Sequence, residues 1–237
     1  MKIGAVTLAY QDEGIIQGTL KCLQPFVDSH IVVLSEKPYF GKGGEADRTE
    51  EIALDLGADV VKGNWSLDHF QRNLGNSLMS DMDWILTFDS DEMMTKEELV
   101  NLILFLDKTE HTAVAVNPEI YWKTTDYRLR PKPSYMPIIA MKPSVRFTHI
   151  RNIDAPTFAI YKGEMHHLSW CAPKDIYKKV TCYAHAPDFD GEEWYMKEYL
   201  TWQEDMTARL PDGEYKAIYE PLPKELYEHL GNSTDTN

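Results

Sequence analysis

The stretch DWILTFDSDE, residues 83–92, decides the fold more than any other part of the sequence. Residues 84–88 form a short apolar run, which is typical of a β-strand covered on both faces. Two carboxylates, Asp89 and Asp91, follow this run two positions apart. Side chains with that spacing on an extended chain point to the same side. We therefore expect both carboxylates at the carboxyl end of a buried strand, where they can face a ligand.

Strand and helix signals alternate around this stretch. The predicted strands are short apolar runs at Ile3–Ala9 and at residues 30–35, 59–62, 84–88 and 112–117. The predicted helices have apolar residues three or four positions apart and cover residues 14–23, 47–57, 67–78 and 95–106. Capping boxes mark two helix starts, at Asp47 with Glu50 and at Thr95 with Glu98. This alternation predicts an α/β fold with a mostly parallel sheet, whose ligands bind beyond the carboxyl ends of the strands.

The second half of the sequence is less regular. Residues 118–143 are rich in proline and aromatic residues, which indicates loops and short strands. Two apolar pieces, residues 137–141 and 158–161, are candidates to extend the sheet, and residues 173–184 and 192–209 have helical patterns. We find no repeat and no linker, so we expect one domain over residues 1–237.

Composition narrows the range of partners. The net charge of −14 argues against a general nucleic-acid binder and against attachment to anionic lipid by charge alone. No apolar run approaches the ~20 residues of a membrane span, and the N-terminus lacks a signal-peptide pattern. Three cysteines without metal-site spacing indicate free thiols. These features together predict a cytoplasmic protein.

The carboxylates of Asp89 and Asp91 suggest a metal site. Oxygen ligands of this kind suit Mg²⁺ or Mn²⁺, and such an ion bridges the oxygens of a nucleotide diphosphate. The alternative is an acidic turn that only stabilises the start of the next helix. The buried strand before the pair favours the metal site.

Four segments in order resemble glycosyltransferase family 2 and related GT-A enzymes. DWILTFDSDE is similar to the strand that carries the aspartate (DxD) motif of that family. TLAYQDEG (residues 7–14), ADRTEEIALDLGADVV (46–61) and QRNLG (71–75) are similar to further family segments. The resemblance covers about the first half of the chain and is more specific than any one motif.

This resemblance implies a GT-A, Rossmann-like α/β/α sandwich that moves a sugar from a nucleotide-diphosphate donor to an acceptor hydroxyl, with inversion. Residues 1–117 would bind the nucleotide sugar, and residues 118–237 would form the acceptor side. Mn²⁺ or Mg²⁺ would be the cofactor, and the acceptor would be a glycan, a lipid-linked group or a protein. By the same resemblance, Asp91 holds the metal and takes part in catalysis, and Asp89 contacts the metal, ribose or sugar. The residues expected to line the nucleotide pocket are Glu13, Asp47, Arg72 and Asn73.

The sequence departs from the family after the second strand, where the family has an aspartate that contacts the base. Glu36 is the candidate replacement here, followed by the glycine-rich segment KPYFGKGGEA, residues 37–46. That segment lacks the G-x-x-x-x-G-K-[ST] spacing of a P-loop, so we do not expect one.

The pair His166 and His167 offers a further metal ligand. Adjacent side chains on a strand point to opposite faces, so one of the two can reach the metal. GT-A enzymes often add a late histidine ligand, and this resemblance favours His167, with His185 as a weaker candidate. The alternative is a histidine whose bonds are satisfied within an aromatic shell.

A catalytic base is not marked by any motif. Carboxylates after the fifth predicted strand are the candidates, and Asp154 is favoured because it precedes the strand that leads to His167. The other candidates are Glu119, Asp126 and Glu164. Glu204-Asp205 with Arg209 is similar to a late family motif, but its spacing is too short, so we treat it as chance. Aromatic residues can form a sugar platform, and those available are Tyr121, Trp122, Tyr127, Trp170, Trp194, Tyr195 and Trp202.

Three other functions fit parts of the pattern. A sugar-phosphate nucleotidyltransferase shares a similar sheet, but its first loop is glycine-rich and basic, whereas this loop is acidic. A non-catalytic module for nucleotide sugars or glycans needs no intact pair at Asp89 and Asp91. A phosphatase with an aspartate nucleophile needs a further Asp/Thr arrangement that is not present after Asp89.

Overall fold

A computed structural model describes residues 1–171, 173–183 and 186–230. The helices are α1 (Ile16–Leu23), α2 (Thr49–Asp55), α3 (Asp68–Ser77), α4 (Lys96–Lys108), α5 (Pro173–Cys182), α6 (Gly191–Trp194) and α7 (Lys224–Leu230). The strands of the first half are β1 (Ile3–Ala9), β2 (Ser29–Ser35), β3 (Asp59–Gly63), β4 (Trp84–Asp89), β5 (Glu92–Met93) and β6 (Ala113–Val116). Those of the second half are β7 (Glu119–Lys123), β8 (Tyr127–Arg130), β9 (Ile138–Met141), β10 (Phe147–His149), β11 (Asn152–Ile153), β12 (Ala159–Tyr161), β13 (His166–Cys171), β14 (Thr207–Leu210) and β15 (Gly213–Tyr219).

The central sheet has seven strands in the order β12-β6-β9-β4-β1-β2-β3. Neighbouring strands are parallel except at β9, which runs antiparallel to both β4 and β6. The predicted mostly parallel α/β sheet is therefore confirmed. Both apolar pieces of the second half join this sheet, as predicted, one as β9 in its interior and one as β12 at its edge.

A second sheet has six strands in the order β14-β15-β8-β7-β13-β5. It begins at β5, which follows Asp91 directly and pairs with β13. The helix predicted at residues 192–209 is wrong in its second part. The helical segment ends with a π-helical turn at Tyr195–Tyr199, and β14 follows. The aromatic spacing there reflects packing on Trp122, whose ring contacts those of Trp194 and Trp202, rather than a long helix.

Of the two predicted capping boxes, only one caps its helix. Thr95 caps α4 as predicted, because its hydroxyl accepts the Glu98 N–H at 3.2 Å. Asp47 does not cap α2, which begins at Thr49, and its carboxylate instead accepts the Thr49 N–H at 3.0 Å in the preceding turn.

The face of α3 that is buried is not its apolar one. Phe70 and Leu78, two of the apolar residues that predicted this helix, are 51% and 48% exposed. Asp68, Arg72 and Asn76 are buried instead. The helix thus turns polar side chains inward, beside the ends of the central strands.

All three cysteines are free and buried. Among the described residues, no helix combines the length and the apolar character needed to cross a membrane.

Candidate active site

A cleft with a volume of about 1110 Å³ opens beyond the carboxyl ends of β1 and β4. Its inner wall is charged and includes Asp12, Asp68, Arg72, Asp89, Asp91, Arg151, His167 and Lys179. Its outer wall is largely aromatic and acidic and includes Trp170, Phe189, Asp190, Glu193, Trp194 and Asp212. The position agrees with the rule that parallel sheets bind ligands at their carboxyl edge.

Asp91 and His167 are neighbours at the inner wall. His167 Nε2 lies 3.2 Å from Asp91 Oδ1, and Lys179 Nζ lies 3.1 Å from Asp91 Oδ2. The pairing of β13 with β5 brings them together, because His167 lies opposite Glu92 and the Leu168 N–H donates to the Asp91 carbonyl at 2.9 Å. Burial raises the pKa of a carboxyl group, but Lys179 and His167 hold the pKa of Asp91 well below its usual value. Asp91 is therefore an ionised carboxylate near neutral pH.

Asp89 is held by two arginines. Arg72 Nη2 donates to Asp89 Oδ1 at 2.7 Å, and Arg151 Nη2 lies 3.7 Å from the same oxygen. Burial raises the pKa of Asp89, but the two guanidinium groups outweigh it and lower that pKa. Arg72 also contacts Asp68 one turn earlier on α3, at 3.4 Å.

Arg151 lines the inner wall, and the fully buried Glu92 lies behind it; neither was predicted from the sequence. The fully buried Glu92 carboxylate accepts the Asp89 backbone N–H at 2.9 Å. It also accepts two bonds from Arg151, at 2.6 and 2.8 Å. The signal for Glu92 was its place at the end of the acidic motif. Arg151 lies in a loop-like segment without a motif, so no signal pointed to it.

The acid of the first loop that faces the cleft is Asp12 rather than the predicted Glu13. Asp12 Oδ2 accepts bonds from the Ser90 hydroxyl at 2.7 Å and the Tyr10 N–H at 2.9 Å. Lys178 and Tyr183 contact its other oxygen, at 3.4 and 2.9 Å. Asp12 therefore joins the first loop to the turn between Asp89 and Asp91.

Outside the cleft wall lie Glu13 and Asp47, which were predicted to line the nucleotide pocket, and Glu36, the candidate contact to the nucleobase. The Glu13 N–H donates to Asp47 at 3.0 Å, and the Glu13 carboxylate accepts the Arg48 N–H at 3.0 Å. Glu36 is exposed and 3.4 Å from the Asn64 amide. The contacts of Glu13 join the first loop to the start of α2. A role of these three residues in nucleotide binding stays a prediction.

Solved structures share this architecture. The glucosyl-3-phosphoglycerate synthase from Mycobacterium tuberculosis, in complex with Mn²⁺, UDP and phosphoglyceric acid, matches with a TM-score of 0.52 at 17% identity over 94% of this chain and 87% of its own. A mycobacterial protein matches with a TM-score of 0.53 at 16% identity, over 93% and 84% of the two chains. S. aureus TarS 1-349 matches with a TM-score of 0.50 at 15% identity, over 75% of this chain and 63% of that one. The sequence matches no protein-family model and no curated protein.

The fold is GT-A. In this GT-A fold the predicted Asn73 and Asp154 both hold the β10–β11 hairpin. The Asn73 amide bonds the backbone N–H and carbonyl of Phe147 at 2.9 and 2.8 Å. The exposed Asp154 accepts the Arg146 N–H at 2.8 Å and does not line the cleft. Its role as a base stays a prediction without support from its position.

The other carboxylates considered as bases also lie outside the cleft wall. Glu119 pairs with Arg130 at 2.7 Å and with Lys132. Glu164 pairs with Arg128 at 3.3 Å, and Asp126 bonds Thr124 beside it in the turn before β8. Of the aromatic residues predicted to form a sugar platform, Trp170 and Trp194 line the cleft. His185, the weaker candidate for a metal ligand, lies outside the described residues.

The inner wall fits a divalent cation that a diphosphate helps to bind. Among the described residues no three His, Cys, Asp or Glu side chains form a closed metal site. Asp91 and His167 offer two ligands, and Mg²⁺ is commonly held by one or two protein groups, substrate phosphates and water. His167 Nδ1 is buried without a hydrogen-bond partner in the described part of the chain, and this leaves it open to a water molecule or an ion.

Charge gives a second reason for a cation. The cleft wall carries four aspartates at its inner end, Asp12, Asp68, Asp89 and Asp91, against Arg72, Arg151 and Lys179. A diphosphate entering alone would add negative charge to a wall that is already slightly negative, which Coulomb repulsion disfavours at this burial. A divalent cation that enters with the diphosphate offsets the negative charge that the diphosphate adds.

Proposed function

We propose that this protein is a metal-dependent glycosyltransferase that moves a sugar from a nucleotide-diphosphate donor to an acceptor hydroxyl. The observation that carries the proposal is the pair Asp91 and His167, 3.2 Å apart at the carboxyl edge of a GT-A sheet. The solved neighbours that contain UDP with Mn²⁺ or Mg²⁺ make UDP sugars the first donors to test.

Several inner-wall residues have a task in such a transfer. Asp91 and His167 would hold the metal, which would supply Lewis-acid stabilisation of the leaving diphosphate. Lys179, bonded to Asp91, adds a fixed positive charge beside the position where leaving-group charge develops. Asp89, oriented by Arg72, accepts hydrogen bonds from hydroxyl groups of the donor.

The outer wall suits the acceptor. Trp170 and Trp194 line the cleft together with Lys179, and aromatic side chains of this kind can pack against sugar rings. Asp190 and Glu193 line the same wall, so we propose that a general base for an inverting transfer is one of these two rather than Asp154. A glycan is accordingly the first acceptor class to test.

Thermal unfolding with UDP-, GDP-, CMP- and dTDP-sugars, each with and without Mn²⁺, tests the proposal. At 100 times its dissociation constant, a donor that binds only the folded protein adds about 2.7 kcal/mol to the free energy of unfolding. We expect one nucleotide class to raise the melting temperature only with Mn²⁺, and Asp91→Asn to lose that rise. Asp55→Asn, an exposed position at the end of α2, is the matched control and keeps it.

Turnover then separates an enzyme from a binding module. Release of the nucleoside diphosphate from the bound donor, dependent on Asp91, supports the transferase. Donor binding without release in the presence of acceptor glycans would favour the non-catalytic module. No shift with any donor, in protein that melts cooperatively, would reject the proposal.

A further inference from the structure

Asp89 is fixed through its backbone as well as its side chain. Its N–H donates at 2.9 Å to Glu92 Oε2, a carboxylate that is fully buried. A buried carboxylate holds its position only when its remaining oxygen valences are satisfied. In this chain Arg151 satisfies them, with bonds to both Glu92 oxygens at 2.6 and 2.8 Å.

Arg151 ties three elements together with one guanidinium group. Besides Glu92, its Nη2 donates to the Thr87 carbonyl in β4 at 3.0 Å and lies 3.7 Å from the Asp89 carboxylate. The side chain is 3% exposed and comes from the turn between β10 and β11. The planar fork of arginine allows this bidentate arrangement, which the single ammonium of lysine does not reproduce.

The turn that delivers Arg151 is strained, and the strand before it is anchored to α3. Ile150 has a φ of 47°, in the left-handed region that β-branched residues rarely adopt. Asn73 of α3 holds the preceding strand through both backbone groups of Phe147, and Arg72 lies over the Phe147 ring at 5.6 Å. Strain of this kind persists where the surrounding contacts fix the geometry, and it is common at functional sites.

From these contacts we propose that Arg151 is a positioning residue for Asp89, acting through Glu92. The β10–β11 hairpin, which lies outside the central sheet, thereby sets the geometry of the donor site. The inference rests on the proposed function only for the choice of UDP with Mn²⁺ as the ligand whose affinity is measured. The alternative is that Arg151 and Glu92 are a structural ion pair without influence on Asp89.

A double-mutant cycle distinguishes the two. The dissociation constant of UDP in the presence of Mn²⁺ is measured for the wild type, Arg151→Lys, Asp89→Asn and the double variant. If Arg151 acts by positioning Asp89, each single change weakens UDP binding at least tenfold. The affinity of the double variant is then no lower than that of the single variant with the lower affinity. A loss of affinity in the double variant equal to the product of the two single losses would overturn the proposal. Wild-type affinity in Arg151→Lys would also overturn it.

Control variants separate positioning from stability. Arg146→Lys alters an exposed arginine of the same hairpin and is expected to leave UDP affinity unchanged. If Arg151→Lys does not fold, Glu92→Gln/Arg151→Met replaces the buried pair by neutral side chains of similar size, a type of change that proteins often tolerate. This variant is expected to fold and to lose UDP affinity, and affinity within about twofold of the wild type would contradict the proposal.

A ligand-free readout keeps this inference distinct from the proposed function. If the wild type binds no nucleotide with Mn²⁺, the proposed function fails, and the crystal structure of Arg151→Lys still tests the positioning. We expect the Asp89 N–H to lose its bond to Glu92 and its carboxylate to move. An unchanged Asp89 would reject the positioning role whatever the ligand.

Discussion

Gly75 of α3 packs directly against Val6 of β1. A Cβ atom added at Gly75 would collide with Val6 Cγ1 and lie 2.8 Å from Cγ2 of Val33. The helix can approach the sheet this closely only because position 75 has no side chain. This approach places Asp68 and Arg72 at the ends of the strands.

We predict that Gly75→Ala destabilises the protein. Helix propensity alone favours alanine by up to about 1 kcal/mol, but overpacking against two β-branched side chains costs about 1–3 kcal/mol. Phe70→Ala, on the exposed face of the same helix, is the matched comparison and is expected to change stability by less than about 0.5 kcal/mol. Urea unfolding measures both, and a more stable Gly75→Ala would show that the helix does not pack as described.

Asn73→Ala is predicted to loosen the β10–β11 hairpin. The change leaves the N–H and carbonyl of Phe147 without their amide partner, at a cost of about 1–3 kcal/mol. Amide hydrogen exchange at Phe147 is expected to accelerate accordingly. Asn101→Ala, at an exposed site on α4, is the control and leaves that exchange unchanged.

His167→Gln is predicted to weaken Mn²⁺-dependent donor binding by at least roughly tenfold, since it removes a ligand beside Asp91. His166→Gln is the adjacent control. His166 faces the other side of β13, where its Nδ1 lies 2.9 Å from the Tyr121 hydroxyl. Its replacement is expected to lower the melting temperature and to preserve the dependence on Mn²⁺. Equal effects of the two changes on donor affinity would argue against His167 as a ligand.

Acidification is predicted to destabilise the fold through His30. Burial lowers the pKa of His30 to about 4, and its Nε2 lies 2.9 Å from the Thr7 hydroxyl. Below an unfolded pKa of about 6.5, the unfolded chain takes up a proton that the folded protein excludes. The free energy of unfolding contributed by this group therefore falls as the pH decreases, by about 2 kcal/mol between pH 7 and pH 5.

His30→Gln is expected to remove that part of the pH dependence. His111→Gln, at an exposed position, is the control and should retain the wild-type difference between pH 7 and pH 5. Denaturant unfolding at the two pH values gives the comparison. A His30→Gln variant with the full wild-type difference would show that His30 is protonated in the folded state.

The strand end at Asp89 and Asp91 was predictable because two independent patterns coincide there. A mostly apolar run predicts a buried strand, and acidic residues directly after it are not expected in the core. Strand alternation also predicted that only one of His166 and His167 could reach the metal, and the family resemblance favoured His167.

The buried face of α3 was not predictable from hydrophobic periodicity. That rule assigns the apolar stripe to the interior, but α3 lies over the ligand edge of the sheet. There the inward side chains are those that build the cleft, such as Arg72. Polar residues on the inner face of a helix indicate a site rather than a solvent-facing surface.

Long-range pairing accounts for the remaining differences. His167 reaches Asp91 because β13 pairs with the two-residue strand β5, which is too short to leave a pattern in the sequence. Arg151 reaches Glu92 from a turn whose conformation depends on contacts with α3. Neither contact follows from local propensity.

The antiparallel insertion of β9 affects how the chain folds during translation. β4 carries the acidic motif, and one of its edges pairs with β9, a strand that is translated after β6. Until residue 141 has left the ribosome, that edge of β4 presents unpaired backbone groups, the kind of surface on which nascent chains associate wrongly. Translational pausing or chaperone binding would therefore matter most while the segment between β4 and β9 emerges.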